Sequence, residues 1–113
     1  MQFRQSQPEL PPLGYFIINR PTPWRGAVAQ VRHGTTIGQN PRCHLRLADP
    51  YVANWHAQIV LHVQRERSQF YIRDLGSHSG IFHNRQRLTA WGCLSQDDTV
   101  QIGSYEFVFK TLT

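Results

Sequence analysis

The chain is poor in lysine, acid and cysteine, and each shortage removes a class of function. Lys110 is the single lysine against eleven arginines, and seven acidic residues leave a formal net charge of +5 over 113 residues. The arginines are scattered from Arg4 to Arg87 without a dense run, so charge alone gives no nucleic-acid-binding arm. Cys43 and Cys93 stand far apart in no metal-ligand spacing, and two free thiols in a reducing compartment are expected. The six histidines never pair at a ligand spacing, and no glycine-rich loop leads into Lys-Ser/Thr, so neither a metal nor another cofactor is expected. No apolar run approaches the roughly 18 residues of a membrane span. The opening Met1-Gln2-Phe3-Arg4-Gln5 lacks the apolar core of a secretory signal. The expectation is a cytoplasmic protein without membrane insertion. Catalysis has little to stand on. Asp74, Ser77 and His78 are too close in sequence for a nucleophilic triad, and Asp97-Asp98 reads as a turn rather than an acid/base pair.

What is present is strand punctuation. Residues 1–13 are polar and carry Pro8, Pro11 and Pro12, which predicts a flexible lead-in before a single domain over 14–111. Tyr15–Asn19 reads as a buried strand ended by Pro21 and Pro23, Ala27–Arg32 as a second and Thr35–Ile37 as a short third. The clearest strand is 57–63, where Ala57, Ile59, Leu61 and Val63 share one face. A polar turn over 64–69 joins it to Phe70–Leu75 as a hairpin, and alternating runs follow at 99–102 and 105–110. The one helical window, Arg85–Asp98, is broken by Gly92 and has no 3.6-residue period. Many short strands with turn residues between them predict an all-β antiparallel sandwich. Trp24 and Trp91 are expected as core or edge fillers, and His62 as an outward residue.

The strand 70–74 runs into Leu75-Gly76-Ser77-His78-Ser79-Gly80, a loop offering hydroxyls and backbone N–H groups beside a rigid strand. Together with Thr36-Ile37-Gly38, Leu45-Arg46-Leu47, Asp49-Pro50, Val52, His56-Ala57, Asp74, Phe82 and Asn84, this run resembles the forkhead-associated (FHA) domain. Leu94, Asp98, Val100, Ile102-Gly103 and Phe107 extend the resemblance to the closing strands, so that it covers about Tyr15 to Lys110. The resemblance implies an eleven-stranded antiparallel β-sandwich of the FHA/SMAD-like kind, binding a protein or peptide partner, usually a phosphothreonine peptide, through loops at one end. Such a ligand carries nearly two negative charges and three acceptor oxygens, and calls for arginine, a hydroxyl and backbone amides.

The chain departs from that pattern where phosphate would be held. The family's arginine after the first glycine is Gln39, its Ser-Arg-x-His is Ala53-Asn54-Trp55-His56, its Asn-Gly is Ser79-Gly80, and its following threonine is Ile81. A hydrogen bond to a charged group contributes roughly 1.5–3 kcal/mol, so losing guanidinium and hydroxyl together removes roughly 3–6 kcal/mol before non-additivity. The reading is a non-enzymatic interaction module that binds a partner through Gln39, Asn40, Arg42, Asn54, Trp55, Ser77, His78 and Ser79 without phosphothreonine dependence. Gly38, His56, Gly76, Gly80 and Asn84 shape the loops. Two alternatives stay open: phosphothreonine binding rebuilt around Arg42 and Ser77, with Arg46 and Arg85 nearby, and a homo-oligomerisation module.

Overall fold

The computed structural model describes residues 13–65 and 67–112; the predicted lead-in 1–13 lies almost wholly outside them. Eleven strands follow in chain order: β1 Leu13–Arg20, β2 Val28–Val31, β3 Thr36–Gly38, β4 Leu45–Arg46, β5 Ala57–Gln64, β6 Arg67–Asp74, β7 Phe82–His83, β8 Gln86–Arg87, β9 Trp91–Leu94, β10 Thr99–Ile102 and β11 Tyr105–Leu112. They form two sheets, ordered β2-β1-β11-β10-β7-β8 and β4-β3-β5-β6-β9. The architecture is the expected all-β sandwich.

Period-two alternation decides which side chains meet between the sheets. Along β1 the buried residues are Gly14, Phe16 and Ile18, and along β11 they are Phe107 and Phe109. From the facing sheet come Ile37, Ala57, Ile59, Phe70, Ile72 and Leu94. Aromatic rings pack within and across the layers. Phe16 stacks on Phe107 at 5.0 Å, and Phe109 meets Phe70 of the opposite sheet edge-on at 5.4 Å. Ile81, in the place of the family's threonine, is fully buried in this core.

Three expectations are corrected. The sandwich is not wholly antiparallel, because β4 pairs parallel to β3 through Ile37↔Leu45 and Gly38↔Arg46. The window 85–98, which lacks a helical period, holds β8 and β9, in line with the all-β expectation. Val63 is 61% exposed, because the β5–β6 hairpin continues past the edge of the core to a closing pair Gln64↔Arg67. This also shortens the predicted six-residue turn, with Arg65 taking φ 51° inside it. Finally, Trp24 (58% exposed) fills neither core nor edge, while Trp91 (51%) stands on β9, the edge strand of its sheet. Trp24 sits in a 3₁₀ turn, Thr22–Trp24, that buries nothing. Trp91 takes the outward pleat of β9, where the buried Gly92 and Leu94 take the inward one.

Candidate functional site at the loop end

Three connections converge at one end of the sandwich: 39–44 after β3, 47–56 before β5, and 75–81 after β6. The first two are laced by backbone bonds. Gln39 N–H donates to Ala53 O (2.9 Å), Asn40 N–H to Asn54 O (3.1 Å), and the Cys43 thiol to the same Asn54 carbonyl (3.2 Å). Burial pushes the Cys43 thiol pKa up, against smaller opposing effects from Thr36 and Asn40, which keeps it a protonated donor. Gly38 is required here by space. A Cβ on it would stand 2.1 Å from Asn54 O and 2.9 Å from Ala53 O.

His56 ties these loops to the third. Its ring is fully buried, and Nδ1 accepts the Ala53 N–H at 3.0 Å. An amide only donates, so the ring proton sits on Nε2, which donates to Gly80 O at 2.7 Å. The third loop is wound on Asp74. Its Oδ1 accepts the N–H groups of Gly76 (2.9 Å) and Ser77 (2.6 Å), while Oδ2 accepts the Ser77 hydroxyl (2.9 Å). Ser77 Oγ in turn accepts Gly80 N–H at 3.0 Å. Gly80 turns the chain at φ 82°. Ser79 Oγ donates to Tyr51 O (2.6 Å), a further stitch between the second and third loops. Beneath them Asp49 anchors the second loop. Burial would raise its pKa, but hydrogen bonds from the N–H groups of Tyr51 and Ser104 and from the Ser104 hydroxyl hold it below the ordinary value.

Most of the sequence-derived site residues therefore lie in one connected loop cluster, but their polar groups are not equally available. The Gln39 amide is turned back to donate to Val52 O (2.9 Å), and Asn40 Oδ1 accepts the Arg42 N–H (2.9 Å). The Ser77 hydroxyl is engaged on both sides. Arg42, Asn54, Trp55 and His78 are exposed, with Trp55 at 41%, and among the described residues the Arg42 guanidinium makes no hydrogen bond. Asn84 sits elsewhere. With φ 48° it occupies the β7–β8 turn, donating to Asp98 Oδ1 and accepting Thr99 N–H, so it holds strands rather than the loop cluster.

Two arginines lie against the loops. Arg46 Nε donates to Gln39 O (2.8 Å), and Arg87 Nη2 donates to His78 O (3.0 Å). Arg46 lies in the segment already singled out in the sequence, but Arg87 is a residue that sequence reading passes over. It reaches the loop only because the short β7–β8 hairpin brings it back beside Gly80, where a Cβ would stand 2.6 Å from its Nε. The pairing Phe82↔Arg87 sets that return, and no local pattern announces it. Asp74 holds Ser77 directly through its carboxylate.

The FHA domain model matches residues 35–103. The oxoglutarate dehydrogenase inhibitor of Corynebacterium diphtheriae is 32% identical over 94 residues, covering 83% of this chain and 54% of that protein. The glycogen accumulation regulator GarA of Mycobacterium tuberculosis is 34% identical over 77 residues, covering 68% of this chain and 44% of GarA. This chain thus spans about half the length of these curated relatives. Among solved structures, an FHA domain from work on phosphothreonine-dependent FHA domain interactions superposes with a TM-score of 0.75 at 22% identity, covering 89% of this chain and 98% of that one.

Proposed function

The chain belongs to the FHA domain family, and from that premise we propose that it is a non-enzymatic interaction module whose loop end binds a protein partner without depending on a threonine phosphate. One observation carries the reading. The positions where the family pattern has arginine and serine hold Gln39 and Ala53, while the amide of Gln39 is bonded to Val52 O. The Ser77 hydroxyl is shared between Asp74 and Gly80, and that of Ser79 is given to Tyr51 O. At Gln39, Ala53 and Ser77 a dianion meets neutral groups, and the Gln39 amide and Ser77 hydroxyl are already engaged within the loops. An interaction near 1 μM corresponds to about −8 kcal/mol. Removing roughly 3–6 kcal/mol of charged hydrogen bonding moves that interaction toward millimolar or weaker. Contacts then come from the exposed Trp55, Asn54 and His78, and from guanidinium groups flanking the loops, which favour carboxylates or main-chain carbonyls. The names of the relatives, an inhibitor and a regulator, are in keeping with a regulatory partner role.

A second reading has its own support: the unengaged guanidinium of Arg42, three residues from Gln39, favours a phosphate site rebuilt around Arg42. Titrating matched libraries of phosphorylated and unphosphorylated threonine peptides separates the two. The proposal expects affinities within about threefold of each other across the pairs and a loss of binding in Trp55→Ala. Tight binding confined to the phosphorylated member and abolished by Arg42→Ala replaces it with the second reading.

A further inference from the structure

The outer face of the five-stranded sheet carries an aromatic patch at its centre, where a solvent-facing sheet is ordinarily polar. At its centre Val60 pairs with Tyr71, and beside them Arg73 pairs with Trp91. The Tyr71 and Trp91 rings stand edge to face at 6.3 Å and 84°. With Val60 and His62 they line an open depression of about 300 Å³. The Arg73 guanidinium lies over the Trp91 ring at 5.6 Å, and its Nε donates to Gln58 Oε1 at 2.9 Å, which fixes the side chain while its terminal nitrogens make no hydrogen bond among the described residues. This is a rigid aromatic floor beside an oriented cation, the composition of an interface centre rather than of a solvated sheet.

Charge selects the occupant. Among the described residues, the outward positions of β5, β6 and β9 carry Arg67, Arg73 and His62 and no carboxylate. Asp98, whose field acts on the neighbouring Cys93, is occupied by His83, Asn84 and the Ser95 N–H. A two-fold contact between copies would set Arg67 and Arg73 against a face of the same sign. We propose that this face is a second docking surface, separate from the loop end, for a partner segment that pairs carboxylates with an aliphatic or proline side chain. The apolar group packs against the Tyr71 and Trp91 rings, in the depression they line with Val60 and His62, and a carboxylate meets the outer edge of Arg73.

The test is selection of unphosphorylated random peptides on the full chain by display, followed by NMR mapping of the enriched sequences. Enriched peptides should place Asp or Glu beside Leu, Ile or Pro and should shift Val60, Tyr71 and the Trp91 indole N–H. Trp91→Ala and Arg73→Glu should each weaken binding at least tenfold, with Trp91→Phe retaining most of it. Arg73→Gln serves if either variant disturbs the fold, as judged by the amide spectrum away from the face. Basic or neutral enriched sequences, no enrichment, or shifts confined to 39–54 and 77–80 overturn the proposal. So does a concentration-dependent dimer lost in Trp91→Ala, which would make a second copy the occupant. Shifts at Val60, Tyr71 and the Trp91 indole report this face alone, whereas peptides held at the loop end shift 39–54 and 77–80 and bear on the loop-end reading instead.

Discussion

Replacing His56 by phenylalanine keeps a ring of similar volume in a fully buried site but removes both nitrogens. The Ala53 N–H and the Gly80 carbonyl then lose their partner at once. A buried polar group left unsatisfied costs about 1–3 kcal/mol. Gly80 is buried, so its carbonyl bears a cost near the upper end, whereas Ala53 is half-buried and water can reach part of its N–H. The sum is about 2–4 kcal/mol, a large fraction of the roughly 5–15 kcal/mol that stabilises a domain of this kind. Urea unfolding followed by tryptophan fluorescence should show a lower midpoint at unchanged slope. Hydrogen exchange should rise at Ala53 and Gly80 together, because the ring is the tie between their loops. A loss below about 1 kcal/mol with exchange unchanged at both amides would refute the reasoning that His56 holds the loop cluster.

Other outcomes follow from the same geometry. Gly38→Ala forces a methyl into the Asn54 and Ala53 carbonyls, so the first two loops must separate; thermal melting should show a loss of at least about 2 kcal/mol, with the largest chemical-shift changes at Gln39 and Asn40. Asp98 is held below its ordinary pKa: burial works against this, but Asn84, His83 and the Ser95 N–H outweigh it. A carboxylate depressed in the fold contributes stability above its unfolded pKa of about 3.9 and loses it as pH falls through the lower folded value. Melting temperature should therefore drop on acidification below about pH 4, and Asp98→Asn should flatten that drop while lowering stability at pH 7.

The parts of this molecule written in local pattern are legible in the sequence, and those made by long-range return are not. Alternation gives β5, β6, β10 and β11, and the ordered glycine, histidine and serine positions give the family. The outward Trp91 obeys that same alternation, but only once the register Arg73↔Trp91 is known does it become a surface residue. The parallel β3–β4 pairing joins a two-residue strand across a loop, too short to carry a period of its own. At the site, Gln39, Ala53 and His56 are found by spacing, whereas Arg87 arrives through the β7–β8 hairpin. The engagement of Ser77 is a middle case. An aspartate three residues before a serine across Gly76 is a local turn signal, and Asp74 does close that turn.

The claim beneath the rest is that the loop framework of a phosphate reader is kept here while the groups that would hold the phosphate are not. Its most direct measurement is an amide NMR titration of the protein with a phosphothreonine peptide, beside the double variant Gln39→Arg/Ala53→Ser. The account predicts no saturable shift at Gln39, Arg42, Ala53 or Ser77 in the native sequence, and a saturable response with at least tenfold stronger binding in the double variant. Saturable, phosphate-dependent shifts at Arg42 and Ser77 in the native sequence would contradict it.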